Sequence, residues 1–177
     1  ATGSHRPKTG PDLAAMVGAT VVSKYRIVNP SAPDPATLLP AGKSPDGRTV
    51  FMNREYVEAD RRIVLGFIEP HFMAGYSGGR KVIAPGVAHE DTIRTFHSAR
   101  FMEDPAAIQC NLAGNPLHEE QLAIVRMLGD VYALNTVIDE DRDLVHVNFG
   151  EVIASHLATV EFVAQSTRVP VGRQNRQ

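Results

Sequence analysis

The clearest element in the chain is the apolar run Ile63-Val64-Leu65-Gly66-Phe67-Ile68. A run without polar alternation predicts a strand in a parallel sheet covered on both faces. Residues 131–137 and 144–147 read as two more strands, joined as a hairpin across the acidic turn Asp139-Glu140-Asp141-Arg142-Asp143. Helical spacing governs other stretches. Thr9 can cap a short helix that has Pro11 in its first turn and Leu13, Met16 and Val17 on one face. Residues 89–102 form a second predicted helix. Residues 117–128 form a third, started at Pro116 and stopped by Gly129, and residues 151–165 a fourth. Prolines 30, 33, 35, 40 and 45 make residues 29–47 mostly loop, with one helical turn at 36–39. A short strand at 49–52 and a helix or turn at 55–60 complete the pattern. Strands and helices intermix around a hairpin, so the fold class is α/β: a mixed sheet with flanking helices.

Composition narrows the class. The 177 residues are 43% hydrophobic and 21% charged, as expected of a water-soluble globular domain. A net charge of −2, with both signs well mixed, gives no electrostatic footprint for nucleic acid. No apolar run approaches a membrane span and no signal peptide is evident, so the expected setting is cytoplasmic. The single cysteine, Cys110, excludes an intrachain disulfide and reads as a small, half-buried residue. The chain starts at Ala1 and trails off after Val169-Pro170-Val171, which reads as the start of another strand, so it reads as a piece of a longer protein.

The candidate chemistry lies in Gly75-Tyr76-Ser77-Gly78-Gly79-Arg80-Lys81. Its glycines permit positive φ and close approach of another group, and successive amides there can form a nest for an anion. A tight turn uses the same residues, so this segment alone supports either reading. Gly75-x-Ser77-x-Gly79 also fits the nucleophile elbow of serine hydrolases, with Asp139 and His156 following in triad order. That elbow should leave its strand directly, whereas Glu69 to Ala74 intervene. A phosphate-binding loop ending Gly-Lys-Ser/Thr does not match Arg80-Lys81-Val82. On an unbroken helix, Ile93, His97 and Phe101 would share one inward stripe, which makes His97 either a core histidine or a neutral metal ligand. His71 lies just before the glycine turn and His5 precedes the first helix. His118, His146 and His156 read as surface or structural.

Taken in order, Thr2-Gly3-Ser4-His5-Arg6-Pro7, Glu69-Pro70-His71-Phe72-x-Ala74-Gly75-Tyr76-Ser77-Gly78-Gly79-x-Lys81, Pro85-Gly86-Val87-Ala88, Phe96-His97 and Asn115-Pro116-Leu117-His118-Glu119-Glu120 resemble the nickel-dependent lactate racemase family. The resemblance implies most of the N-terminal domain of a two-domain enzyme. Residues 1–171 would be a partial cofactor-binding domain, and 172–177 a tail or the start of the interdomain connection. It further implies a nickel pincer nucleotide, a pyridinium mononucleotide whose sulfur-bearing arms hold nickel, joined to Lys81 as a thioamide. Gly75, Ser77, Gly78 and Gly79 would surround that cofactor. His97 would be the nickel ligand, and His5 and His71 the acid/base pair acting on a small 2-hydroxy acid. A histidine nitrogen beside sulfur suits square-planar nickel, and imidazole titrates near working pH. Arg6 or Arg80 would assist an anionic group. Other implied partners are the protein's own C-terminal domain and the cofactor's maturation enzymes, and the isolated chain is expected to be inactive. The readings that compete with this one are a serine hydrolase using Ser77 and a non-catalytic nucleotide-binding module.

Overall fold

The computed structural model describes residues 6–167. His5, the strand read at Val169-Pro170-Val171 and the boundary placed at 171/172 lie outside those residues. Helix α1 (Gly10–Val17) begins as its cap residue predicts. Thr9 accepts a hydrogen bond from the Asp12 amide, and the Asp12 carboxylate accepts one from the Thr9 amide. Those bonds, with the Arg6 guanidinium, lower the Asp12 carboxyl to about 2. Gly18, at φ 86°, separates α1 from α2 (Ala19–Lys24).

The proline-rich segment contains a 3-10 turn (Pro35–Thr37) and then a strand where loop is predicted. Strand β1 (Leu38–Lys43) pairs antiparallel with β2 (Thr49–Asn53). A register shift between Pro40 and Gly42 lets the strand absorb a proline that cannot donate to the ladder. A single turn, α3 (Arg54–Val57), leads into β3 (Arg62–Phe67). The short pair β4 (Pro70–His71) and β5 (Gly75–Tyr76) follows, then α4 (Arg80–Ile83), α5 (Glu90–Phe96), α6 (Ala99–Met102) and α7 (Pro116–Arg126). Hairpin β6 (Val131–Ile138) and β7 (Leu144–Glu151) and the long helix α8 (Val152–Thr167) complete the fold.

The main sheet has the order β3-β6-β7, with β3 parallel to β6 and β6 antiparallel to β7. It is the mixed sheet expected, in an α/β fold. Helices α4 and α8 pack on it, and α7 packs on α4. Residues pointing toward them are sealed: Val64, Val131, Ala133 and Val137 are buried. The opposite face differs from the sequence expectation. Ile63, Leu65 and Phe149 are 59, 72 and 60% exposed, and Tyr132, Val145 and Val147 are exposed as well. The strands therefore alternate, because nothing among the described residues packs on that side. Two further expectations change: Cys110 is exposed, and the helix predicted over 89–102 is interrupted.

The core gathers Met52, Val64, Ile83, Phe96, Phe101 and Ile124, among others. Asn115 ties it to the functional loop. Its Oδ1 accepts from the amides of Leu117 and His118 to start α7, and its Nδ2 donates to the carbonyls of Met73 and Asn111. Asn115 is fully buried, so Asn115→Ala strands several buried polar groups. The expected loss is about 3 kcal/mol in urea-unfolding stability; a change within 0.5 kcal/mol, on the order of a surface substitution, would refute this account.

Candidate active site

Ser77 returns the chain to the end of β3. Its hydroxyl donates to the Phe67 carbonyl at 2.7 Å and accepts from the Glu69 amide at 2.9 Å, and its own amide donates to the Glu69 carbonyl. Gly75, Gly78 and Gly79 all have positive φ, at 74°, 68° and 45°. The space a side chain would need is already taken by the protein. A Cβ on Gly75 would sit 2.3 Å from the Asn111 carbonyl oxygen, and one on Gly78 would sit 2.8 Å from that of Phe67. One on Gly79 would meet the His156 side chain at 2.8 Å. The Gly79 amide also donates to Asn135 Oδ1. The sequence left two readings of these glycines open; on the side where a Cβ would stand, the group that comes close is β3, Asn111 and His156.

Arg80, at the start of α4, is wholly buried. Its guanidinium donates to the carbonyls of Tyr76 at 3.3 Å and Ala74 at 2.8 Å, and to His156 Nε2 at 2.6 Å. No carboxylate pairs with it among the described residues. Arginine only donates, so Nε2 of His156 accepts and its proton resides on Nδ1. Burial, reinforced by Arg80, lowers His156 to about 3. His118, stacked 6.4 Å from His156, is lowered to about 4 by burial and by Arg80. Both are buried structural histidines.

Lys81 and His97 each lie within electrostatic reach of His71. The charges of Lys81, Arg80 and His97 all reach the His71 ring; together with burial, the largest cause, they lower it to about 4. His71 stacks on Phe72, and its Nδ1 accepts from the amides of Met73 and Ala74. The neutral ring therefore carries its proton on Nε2. Lys81 is half-buried on α4, and its amine is lowered by burial and then by Arg80, against an opposing pull from Glu69. His97 is not in the core. The helix ends at Phe96, whose ring is buried instead, and His97 is an exposed C-cap residue. Its Nδ1 lies 2.7 Å from the Ile93 carbonyl; donation there leaves Nε2 with a free lone pair. Among the described residues no three His, Cys, Asp or Glu side chains converge as a metal site, so a metal at His97 would need donors from another group.

The hydrolase geometry is absent. His156 approaches the Ser77 backbone carbonyl, not its hydroxyl, and Asp139 is occupied in the hairpin turn by the amides of Asp141 and Asp143. A cleft of about 300 Å³ lined by Arg48, Thr95, Phe96 and Glu120 contains none of His71, Lys81 or His97. Sequence reading passed over Asn135 and left His156 between a surface and a structural place. Asn135 is a lone amide in an apolar strand, buried and bonded to Gly79 and Ser155. His156 lies four residues from both Val152 and Val160, a spacing that places it on the buried face of α8.

Residues 1–109 match the family described as the lactate racemase N-terminal domain. The chain belongs to that family. It is 36% identical over 170 residues to a lactate racemase of Lactiplantibacillus plantarum, covering 96% of this chain and 40% of that protein. It is 34% identical over 169 residues to a lactate racemase of Thermoanaerobacterium thermosaccharolyticum, with the same coverage. The structure of the lactate racemase apoprotein from that organism superimposes with a TM-score of 0.89 at 34% identity, over 93% of this chain and 40% of that one. A structural-genomics protein from Thermotoga maritima shares the fold at TM-score 0.78 and 20% identity, over 94% and 45%. The chain thus spans about 40% of the length of the lactate racemases it matches. No helix among its described residues is long and apolar enough to cross a membrane.

Two outcomes follow for this chain. Gly79→Ala, which forces a Cβ into His156 at positive φ, should lower stability by about 3 kcal/mol in chemical denaturation. Stability should also fall with acid. His71, His118 and His156 are all depressed below their unfolded value, so their contribution is complete above about pH 6.5 and is lost as the pH falls toward 4 and 3. A melting temperature that stays flat from pH 7 to 4 would contradict this assignment.

Proposed function

We propose that the protein to which these residues belong is a racemase or epimerase of a small 2-hydroxy acid that uses a lysine-tethered nickel pincer nucleotide. The observation that carries this reading is that both Lys81 and His97 lie within electrostatic reach of His71 in a domain of the lactate racemase family. The residues suit the group. His97 offers a single fixed nitrogen, which fits a nickel whose remaining donors arrive on a cofactor. Lys81 offers a half-buried amine on a short helix anchored by Arg80. Gly75, Ser77, Gly78 and Gly79 build the turn that aims it.

When bound, the cofactor supplies a hydride acceptor for the hydrogen on the substrate's hydroxyl-bearing carbon. The chain's own work is proton handling and placement. Racemisation removes the hydroxyl proton and returns it, and a base for each substrate orientation meets that need; His71 and His5 fill those roles. The low basicity of His71 keeps its ring neutral, the form that accepts a proton. In the arrangement described, Nδ1 is held by two amides and Nε2–H is the outward donor, so accepting a proton requires the ring to leave Met73 and Ala74. The remaining substrate contacts fall to the C-terminal domain, and loading the cofactor falls to its maturation enzymes.

Intact-mass analysis of the full-length protein co-expressed with those enzymes should show a covalent adduct on Lys81 that is lost in Lys81→Ala. His97→Ala should keep the adduct and lose bound nickel. The isolated 177-residue chain should sustain no racemisation of 2-hydroxy acids. An unmodified Lys81 in active full-length protein would overturn the reading.

A further inference from the structure

The most unusual group in the described molecule is Arg80. A guanidinium with no exposed surface normally pairs with a carboxylate, because an uncompensated charge is costly to bury. Here its hydrogen-bond partners are two backbone carbonyls and a neutral imidazole, and its Nε has none. Burial lowers Arg80 only to about 9, so it stays charged at neutral pH. Among the described residues no carboxylate pairs with that charge. His71, His118, His156 and Lys81 are each held toward the uncharged form, chiefly by their own burial, and the Arg80 charge adds to that in every case. Of these, only Lys81 carries a primary amine, which has a lone pair to offer once it is uncharged.

We propose that Arg80 is the positioning residue that makes Lys81 a reactive amine: clamped beneath the glycine turn, its buried cation disfavours a second positive charge on the adjacent lysine. The side chain cannot touch a ligand, because Ala74, Tyr76 and His156 enclose it. Its influence passes through the half-buried Lys81. Arg80 and Glu69 are the charged groups that act on Lys81, and Lys81 in turn acts on the half-buried His71, whose ring is neutral. Glu69, exposed at the mouth of the turn, pulls the opposite way. His118 from α7 and His156 from α8, the helices packed on α4, are neutral. Arg62, the one charged residue of β3, is spent on the carbonyls of Tyr56, Val57 and Leu128. The inference rests on Lys81 as the site of covalent attachment, and it concerns only the protonation state of that amine, since an ammonium has no lone pair and a neutral amine has one.

Competitive labelling tests it on the full chain before cofactor loading, using acetic anhydride across a range of pH with mass-spectrometric readout. Lys81 should titrate below Lys8, Lys24 and Lys43. If Lys81 titrates together with them in the unsubstituted protein, the proposal is wrong, whatever the variants do. Arg80→Gln should move the Lys81 midpoint up toward the other lysines and slow its labelling several-fold at pH 8. Arg80→Lys, which keeps a charge, should hold it down. An unmoved midpoint in a folded Arg80→Gln protein would also overturn the proposal. Cofactor attachment is a separate readout: a depressed Lys81 midpoint with no adduct would count against the proposed function while leaving the role of Arg80 standing.

Discussion

Everything at the glycine turn depends on where the Arg80 guanidinium is placed. Moving a charge out of water costs several kcal/mol even after relaxation. Only an arrangement that converges acceptors on it is stable. Residues 74 to 80 supply that arrangement by winding around the side chain, so that the carbonyls of Ala74 and Tyr76 point inward. The third acceptor comes from α8, and it must be an unprotonated histidine. The turn is thereby locked to the sheet's covering helix, and Lys81 inherits its position from that lock.

The glycines belong to the same constraint. A loop wound this tightly must run against β3, Asn111 and His156 with no room for side chains. Sequence alone records that three glycines are needed and that positive φ is available. It does not record which side of the backbone is crowded, and both readings of the segment were open for that reason. The same limit applies to Ser77: its spacing suits a nucleophile, yet its hydroxyl is already committed to Phe67 and Glu69.

Much of the fold was legible because local chemistry decides it. Thr9 with Asp12, Asn115 with Pro116, Gly129 and the acidic hairpin turn each fix a boundary through nearest neighbours. The strand β1 was not legible, since Pro40 and Gly42 argue against it and only pairing with β2 makes the bulge worthwhile. The apolar run at 63–68 predicts two covered faces. The described residues cover one, which leaves Leu65, Leu134 and Phe149 in register across the open side. That difference is tertiary: a strand's own residues cannot state what lies opposite each face.

His97 lies where the sequence pattern does not put it. The stripe Ile93, His97, Phe101 assumes an unbroken helix, but the chain ends α5 at Phe96 and restarts α6 after Ser98. That break turns Phe96 into the core and His97 outward. A histidine inside the core would have spent its ring on internal partners. At the helix terminus, one nitrogen is fixed by the Ile93 carbonyl and the other is left free. The break thus separates two demands that a continuous helix would have placed on one position: Phe96 seals the core, and His97 keeps a lone pair within electrostatic reach of His71.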